Sequence, residues 1–213
     1  FDVILNIISE AGCSSDVTKQ TEVYDNPVVD FLGDQFCLGT PTYFTDYSYV
    51  NNATINDWLW NFGDGFGITN IQHPIYIFNT AGKYAVSLLV TSDKGCVQER
   101  DQTITIFDLP SVSFTSDSLV CLGDDVRFTD LSSISGSSII EWIWDLGDGT
   151  IISTQNPTHT YRYVDIFDVS LNVTSEEGCK QEAFLLDFIK VFPLPIADFH
   201  ASTLFTSELN SEI

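Results

Sequence analysis

A chain of 213 residues has room for one or two domains, and 44% hydrophobic with 13% aromatic residues is too much apolar material for a disordered one. Thirty acidic residues against eight basic ones give a formal charge of −22, which repels phosphate backbones and excludes nucleic acid as a partner. No apolar run exceeds strand length, so no membrane span is expected, and five cysteines without a C-x-x-C pair fit the disulfides of an oxidising compartment better than zinc or dithiol chemistry.

The chain opens in mid-pattern. Phe1 to Cys13 match Tyr84 to Cys96, so residues 1–26 read as the C-terminal part of an upstream repeat. With no Met and no signal-peptide pattern, the sequence is expected to be an internal piece of a longer one. A whole unit, 27–109, follows. Trp58 and Trp60 lie two apart, on one face of a strand, and run into the turn Gly63-Asp64-Gly65. Tyr84, Val86, Leu88 and Val90 then alternate with Ala85, Ser87 and Leu89, and Ile104 and Ile106 mark a last strand.

The second unit, 110–194, repeats the first. Cys37-Leu38-Gly39 recurs as Cys121-Leu122-Gly123, and Trp60 to Gly65 as Trp144 to Gly149, both 84 residues on. Gly95-Cys96 recurs as Gly178-Cys179. Val126 with Phe128 is read as one strand, Trp142, Trp144 and Leu146 as another, and Phe167, Val169, Leu171 and Val173 as a third. Residues 195–213 start a further repeat, because Pro195 to Phe199 match Pro110 to Phe114. The period is two throughout, with no helical stretch. The expected fold class is all-β: tandem Ig-like sandwiches of about seven strands with Greek-key connections.

The order W-x-h-G-D-G, then N/H-P, then G-x-Y-x-V-x-L resembles the PKD domain. It stands here as Trp60 to Gly65, His73-Pro74 and Gly82 to Leu88, and again as Trp144 to Gly149, Asn156-Pro157, His159-Thr160-Tyr161 and Phe167 to Val173. Leu146 replaces the usual Phe, and Asp165 replaces the Gly before its strand. A Cys ahead of the second strand with a Gly-Cys after the long one looks like the large surface proteins of Bacteroidota, gliding adhesins among them. That narrower resemblance implies a cell-surface adhesin exported by type IX secretion.

Two glycines around an Asp supply the positive φ of a tight turn, and its carboxylate can bond nearby amides. Asp64 and Asp148 are also candidate calcium ligands, since some PKD domains bind that ion; otherwise no cofactor is expected. Trp60 and Trp144 are read as the large core residues of their sandwiches. Trp58, Trp142, Tyr43, Tyr47 and Tyr49 are the aromatics that could face a glycan or protein partner. His73, His159 and His200 share no ligand spacing, His159 falls on a packing position, and no nucleophile context accompanies them, so no enzyme activity is expected. Asn52 and Asn172 head N-glycosylation patterns, and Ser118 sits in a D-S-L resembling the Bacteroidota O-glycosylation signal.

The cysteines admit two schemes. Cys37 should lie at one pole of its sandwich and Cys96 at the other, a strand of about 33 Å apart, where a disulfide needs Cα atoms within about 7 Å. That favours Cys37 with Cys179, leaving Cys96 for an upstream cysteine and Cys121 for a downstream one; Cys13 belongs to the cut repeat. The alternative is Cys37–Cys96 with Cys121–Cys179. The units join through Asp108-Leu109-Pro110 and Pro193-Leu194-Pro195 with no Gly/Ser tether. Together these lead to an extracellular stalk or spacer that resists extension and proteolysis, with neighbouring repeats of the chain as its partners. The alternative is a glycan- or protein-binding module, or an accessory domain of a secreted hydrolase.

Overall fold

The structure, a computed structural model, describes residues 1–34 and 36–200. Every regular element among them is a strand, and no helix among them could cross a membrane. The chain divides into two compact units: 1–109 with 134–137 and 175–179, and 110–133 with 138–174 and 180 onward.

In the first unit, β1 (Asp2–Ile8) and β2 (Ser14–Gln20) form an antiparallel hairpin that pairs with no other strand among the described residues. Seven strands make its sandwich: β3 (Phe31–Asp34), β4 (Pro41–Asp46), β5 (Ile55–Asn61), β6 (Ile68–Thr69), β7 (Ile75–Ile77), β8 (Gly82–Ser92) and β9 (Val97–Ile106). One sheet runs β3-β4-β7 and the other β6-β5-β8-β9, so the chain changes sheet between β4 and β5, β6 and β7, and β7 and β8. Such changes are what a Greek key requires. The two-residue period decides what lies between the sheets. Val86, Leu88 and Val90 are fully buried with Phe31, Phe44 and Trp60. Trp60 meets Phe31 edge-on at 5.0 Å and Phe44 at 5.5 Å, the tilted geometry that ring quadrupoles favour.

The second unit contains β10 (Phe114–Thr115), β11 (Leu119–Cys121), β12 (Asp125–Arg127), β13 (Thr129–Asp130), β14 (Ile139–Asp145), β15 (Ile151–Ile152), β16 (Thr158–Thr160), β17 (Ile166–Ser175) and β18 (Lys180–Phe192). A five-stranded sheet, β11-β18-β17-β14-β15, shares one core with the short ladders β10–β13 and β12–β16. Trp144 takes the place of Trp60, 5.1 Å from Phe114 and 5.5 Å from Phe128. The strand expected through Val126 and Phe128 divides: β12 pairs with β16, and β13 with β10. Both side chains are nevertheless buried, as one apolar face demands. Of the repeat expected over 195–213, residues 195–200 form no regular element and 201–213 lie outside the described residues.

The hairpin β1–β2 is the exception to this packing. Val3, Leu5 and Ile7 align with Val86, Leu88 and Val90, which are 0% exposed, yet they stand 56%, 60% and 62% exposed. Its turn, Ser9 to Cys13, carries the same hydrogen bonds as the turns Ser92 to Cys96 and Ser175 to Cys179. In each, the serine amide donates to the cysteine carbonyl at 2.8–2.9 Å. The cysteine amide returns the bond to the serine Oγ at 3.1–3.2 Å.

Candidate functional site

The Gly-Asp-Gly turns follow β5 and β14. Gly63 and Gly147 adopt φ of 75° and 80°, and their amides donate to Asn61 Oδ1 and Asp145 Oδ1, both at 2.9 Å. A Cβ on Gly63 would stand 2.3 Å from the Ala85 carbonyl oxygen, and one on Gly147 2.3 Å from that of Asp168. The turn therefore lies directly on the neighbouring long strand.

The aspartate of each turn bonds its own loop through Oδ1 and a side chain of β7 or β16 through Oδ2. Asp64 Oδ1 accepts from the amides of Phe66 and Gly67 at 3.0 and 2.9 Å, and Oδ2 accepts from the Tyr76 hydroxyl. Burial acts most strongly on this carboxyl and pushes it up, but the Tyr76 hydroxyl and the two amides together hold it below its ordinary value. Tyr76 moves the other way, pushed up to about 12 by burial and by the carboxylate it serves. In the second unit Asp148 Oδ1 accepts from the Thr150 amide at 3.0 Å, and Oδ2 lies 2.7 Å from His159 Nε2. Burial again opposes ionisation there, and the bonds from His159 and Thr150 outweigh it, leaving Asp148 lowered. His159 packs edge-on against Tyr161 at 4.7 Å. Burial raises the Tyr161 phenol, whose hydroxyl donates to the Leu146 carbonyl at 3.0 Å.

As calcium ligands, Asp64 and Asp148 would have to exchange these protein donors for the ion. No group of three or more His, Cys, Asp or Glu side chains suited to a metal occurs among the described residues.

A second pair of carboxylates escaped the reading of the sequence. Asp46 accepts from Trp58 Nε1 at 2.7 Å, Gln72 Nε2 at 3.1 Å and the Ser48 amide at 2.8 Å. Asp130 accepts from Trp142 Nε1 at 2.7 Å, Gln155 Nε2 at 3.2 Å and the Ser132 amide at 2.9 Å. The same four-residue network is thus built twice. It ties the end of the second strand to the Trp strand and to the loop ahead of the H/N-P step. The signal was present as D-x-S twelve residues before each Trp, at Asp46 and Asp130. Trp58 and Trp142 are consequently half-buried, with their indole N–H groups turned inward, whereas Tyr43, Tyr47 and Tyr49 are exposed.

Trp60 and Trp144 are wholly buried. Trp144 Nε1 donates to the Thr154 carbonyl at 2.9 Å, while Trp60 Nε1 has no partner among the described residues. His73 Nδ1 accepts from the Asp46 amide at 3.1 Å, and His200 is exposed. Asn52 is exposed with φ 55°. Asn172 lies within the β17–β18 ladder opposite Glu182, and its Thr174 is buried with the hydroxyl on Glu141 at 2.8 Å. Ser118 is half-buried beside β11, its carbonyl accepting from the Lys190 amide at 2.8 Å.

Cys37 and Cys179 form a disulfide, with S–S 2.02 Å and Cα atoms 5.6 Å apart. Both fall in the first compact unit, Cys179 through the turn 175–179. Cys13, Cys96 and Cys121 are free thiols.

The PKD domain family matches this chain twice, over residues 24–107 and 108–187. The chain belongs to that family, as tandem copies. It is 30% identical over 128 residues to the pre-pro-metalloprotease PrtV of Vibrio cholerae, a match covering 60% of this chain and 14% of that protein. A microbial collagenase of Vibrio alginolyticus is 30% identical over 82 residues, covering 38% of this chain and 10% of the collagenase. The chain therefore spans a small fraction of these relatives. Among solved structures, the PKD1 domain of Vibrio anguillarum Epp is 27% identical, covering 39% of this chain and 96% of that one, with a TM-score of 0.37. The PKD1 domain of PrtV is 30% identical, covering 38% and 98%, with a TM-score of 0.36.

Proposed function

We propose that this chain is a structural, non-catalytic segment of a larger extracellular protein, a stalk in which tandem PKD sandwiches space a distal element from its anchor. The observation that carries this reading is the direction of the polar side chains. Asp46 and Asp130 hold Trp, Gln and Ser of their own sandwich in the same way twice. Asp64 and Asp148 each hold a turn amide and a side chain of the strand alongside, Tyr76 in one unit and His159 in the other. Groups arranged so are scaffold. A disulfide fits an oxidising exterior, and the surplus of carboxylates keeps neighbouring molecules apart. On the narrower reading the anchor is a bacterial surface of the Bacteroidota type, and the distal element an adhesive tip.

A second reading, an accessory domain of a secreted hydrolase, is favoured by the metalloprotease and collagenase among the relatives. In that case exposed rings such as Tyr47 would touch the substrate or its matrix. Binding of the purified chain to fibrillar collagen, chitin and a glycan array separates the two. A stalk leaves the chain in the supernatant at every concentration. Saturable retention that is lost in Tyr47→Ala would sink the stalk in favour of a binding module, the role an accessory domain would play.

A further inference from the structure

Two of the free thiols occupy the repeat positions of the two bonded ones. Cys121 corresponds to Cys37 and is held in the same frame. The Leu122 amide donates to the Phe192 carbonyl at 2.8 Å as the Leu38 amide does to Phe107, also at 2.8 Å. The Asp124 amide closes on the Cys121 carbonyl at 3.0 Å as the Thr40 amide does on Cys37 at 3.1 Å. Cys96 corresponds to Cys179, on the same Ser-x-x-Gly-Cys turn. Of the two sequence-derived schemes, the pairing within each repeat is absent: Cys37 is joined to Cys179, and Cys96 and Cys121 remain thiols. Cys121 is exposed and Cys96 only partly buried, so both can be reached.

We propose that Cys121 and Cys96 are the two open halves of the joint that Cys37 and Cys179 close. Cys121 takes the thiol on the Ser-x-x-Gly-Cys turn of another PKD repeat, and Cys96 takes the thiol of another repeat's Cys-Leu-Gly turn. Four positions on two kinds of turn support it: one bond joins one kind to the other, and each repeat contributes one of each. The chemistry balances as thiol–disulfide exchange. Two thiols lose two protons and two electrons to a disulfide oxidant, which leaves as two thiols while the new S–S bond forms. The joint is independent of whether the array spaces a tip or accompanies a hydrolase.

The test uses the whole chain with Cys13→Ser, because Cys13 lies on the same kind of turn and would compete. At about 1 mM, the effective concentration that a short linker gives a tethered neighbour, the protein is oxidised under native conditions with oxidised glutathione. Covalent dimers are then digested without reduction and their linked peptides identified. The expected bond joins Cys121 of one molecule to Cys96 of the next, and adding Cys121→Ser abolishes it. A statistical mixture containing Cys96–Cys96 and Cys121–Cys121 links, or a failure to form dimers at all, overturns the proposal.

Discussion

The two glycines of each Gly-Asp-Gly turn carry different burdens. Gly147 combines φ of 80° with a carbonyl 2.3 Å from where a Cβ would stand; Gly149 has φ of 89° and open space around it. Gly147→Ala should therefore cost about 3 kcal/mol, backbone strain plus displacement of β17. Gly149→Ala should cost about 1 kcal/mol. Urea unfolding of the two variants checks the ranking, and equal costs would remove the steric argument. The paired tryptophans allow a similar comparison. Both are fully buried, but among the described residues only Trp144 has a partner for its indole N–H. Trp144→Phe should exceed Trp60→Phe by about 1 kcal/mol, because it also orphans the Thr154 carbonyl. The glycine turn and the buried Trp were legible in the sequence, since each follows from one residue's own chemistry. The asymmetry within each pair was not, because it depends on which backbone passes underneath.

At the level of the elements, the alternation of β8 and β17 was readable because a two-residue period maps directly onto one buried face. The division between β12 and β13 was not: it depends on which partners lie alongside, and residue pattern says nothing of partners. The Asp46 and Asp130 networks were missed for a related reason. Each joins groups up to 26 residues apart that are neighbours only after the strands pair. The turn after β14 has a pH signature. Asp148 is held below its ordinary value in the folded chain, so the unfolded chain binds more protons near pH 4. Its contribution is present above the unfolded carboxylate pKa of about 4 and is lost as pH falls through the lower folded one. Melting temperatures between about pH 6 and pH 3 should fall less steeply in Asp148→Asn than in the parent. An identical slope in the two proteins would mean that the His159 and Thr150 bonds do not favour the ionised form.

For the whole chain, tandem organisation was the most legible property, because an 84-residue self-match needs no knowledge of packing. Which thiols meet was harder. Spacing alone left two schemes open, and only the positions of the Cys-Leu-Gly and Ser-x-x-Gly-Cys turns distinguish them. Hairpin β1–β2 shows the same limit from the other side: its apolar alternation is as regular as that of β8, yet Val3, Leu5 and Ile7 lie uncovered. Periodicity announces a face that can be buried, not what buries it.

The bond between Cys37 and Cys179 also decides which part of the chain carries tension. A pull applied to the two ends passes from residue 37 straight to residue 179, and the 142-residue separation between them is removed from the load path. Most of both sandwiches, Trp60 and Trp144 included, then lies in a covalently shielded loop that cannot be drawn out. At about 3.5 Å per extended residue, the loop stores about 500 Å of hidden length. Optical-tweezer extension of the oxidised chain should lack that increment, and reductant should restore it. An oxidised chain that lengthens as far as the reduced one would show that force does not take the shortcut. The bond therefore works as a fuse with a chemical release: the redox state of the surroundings sets how far the chain can lengthen once its sandwiches unfold.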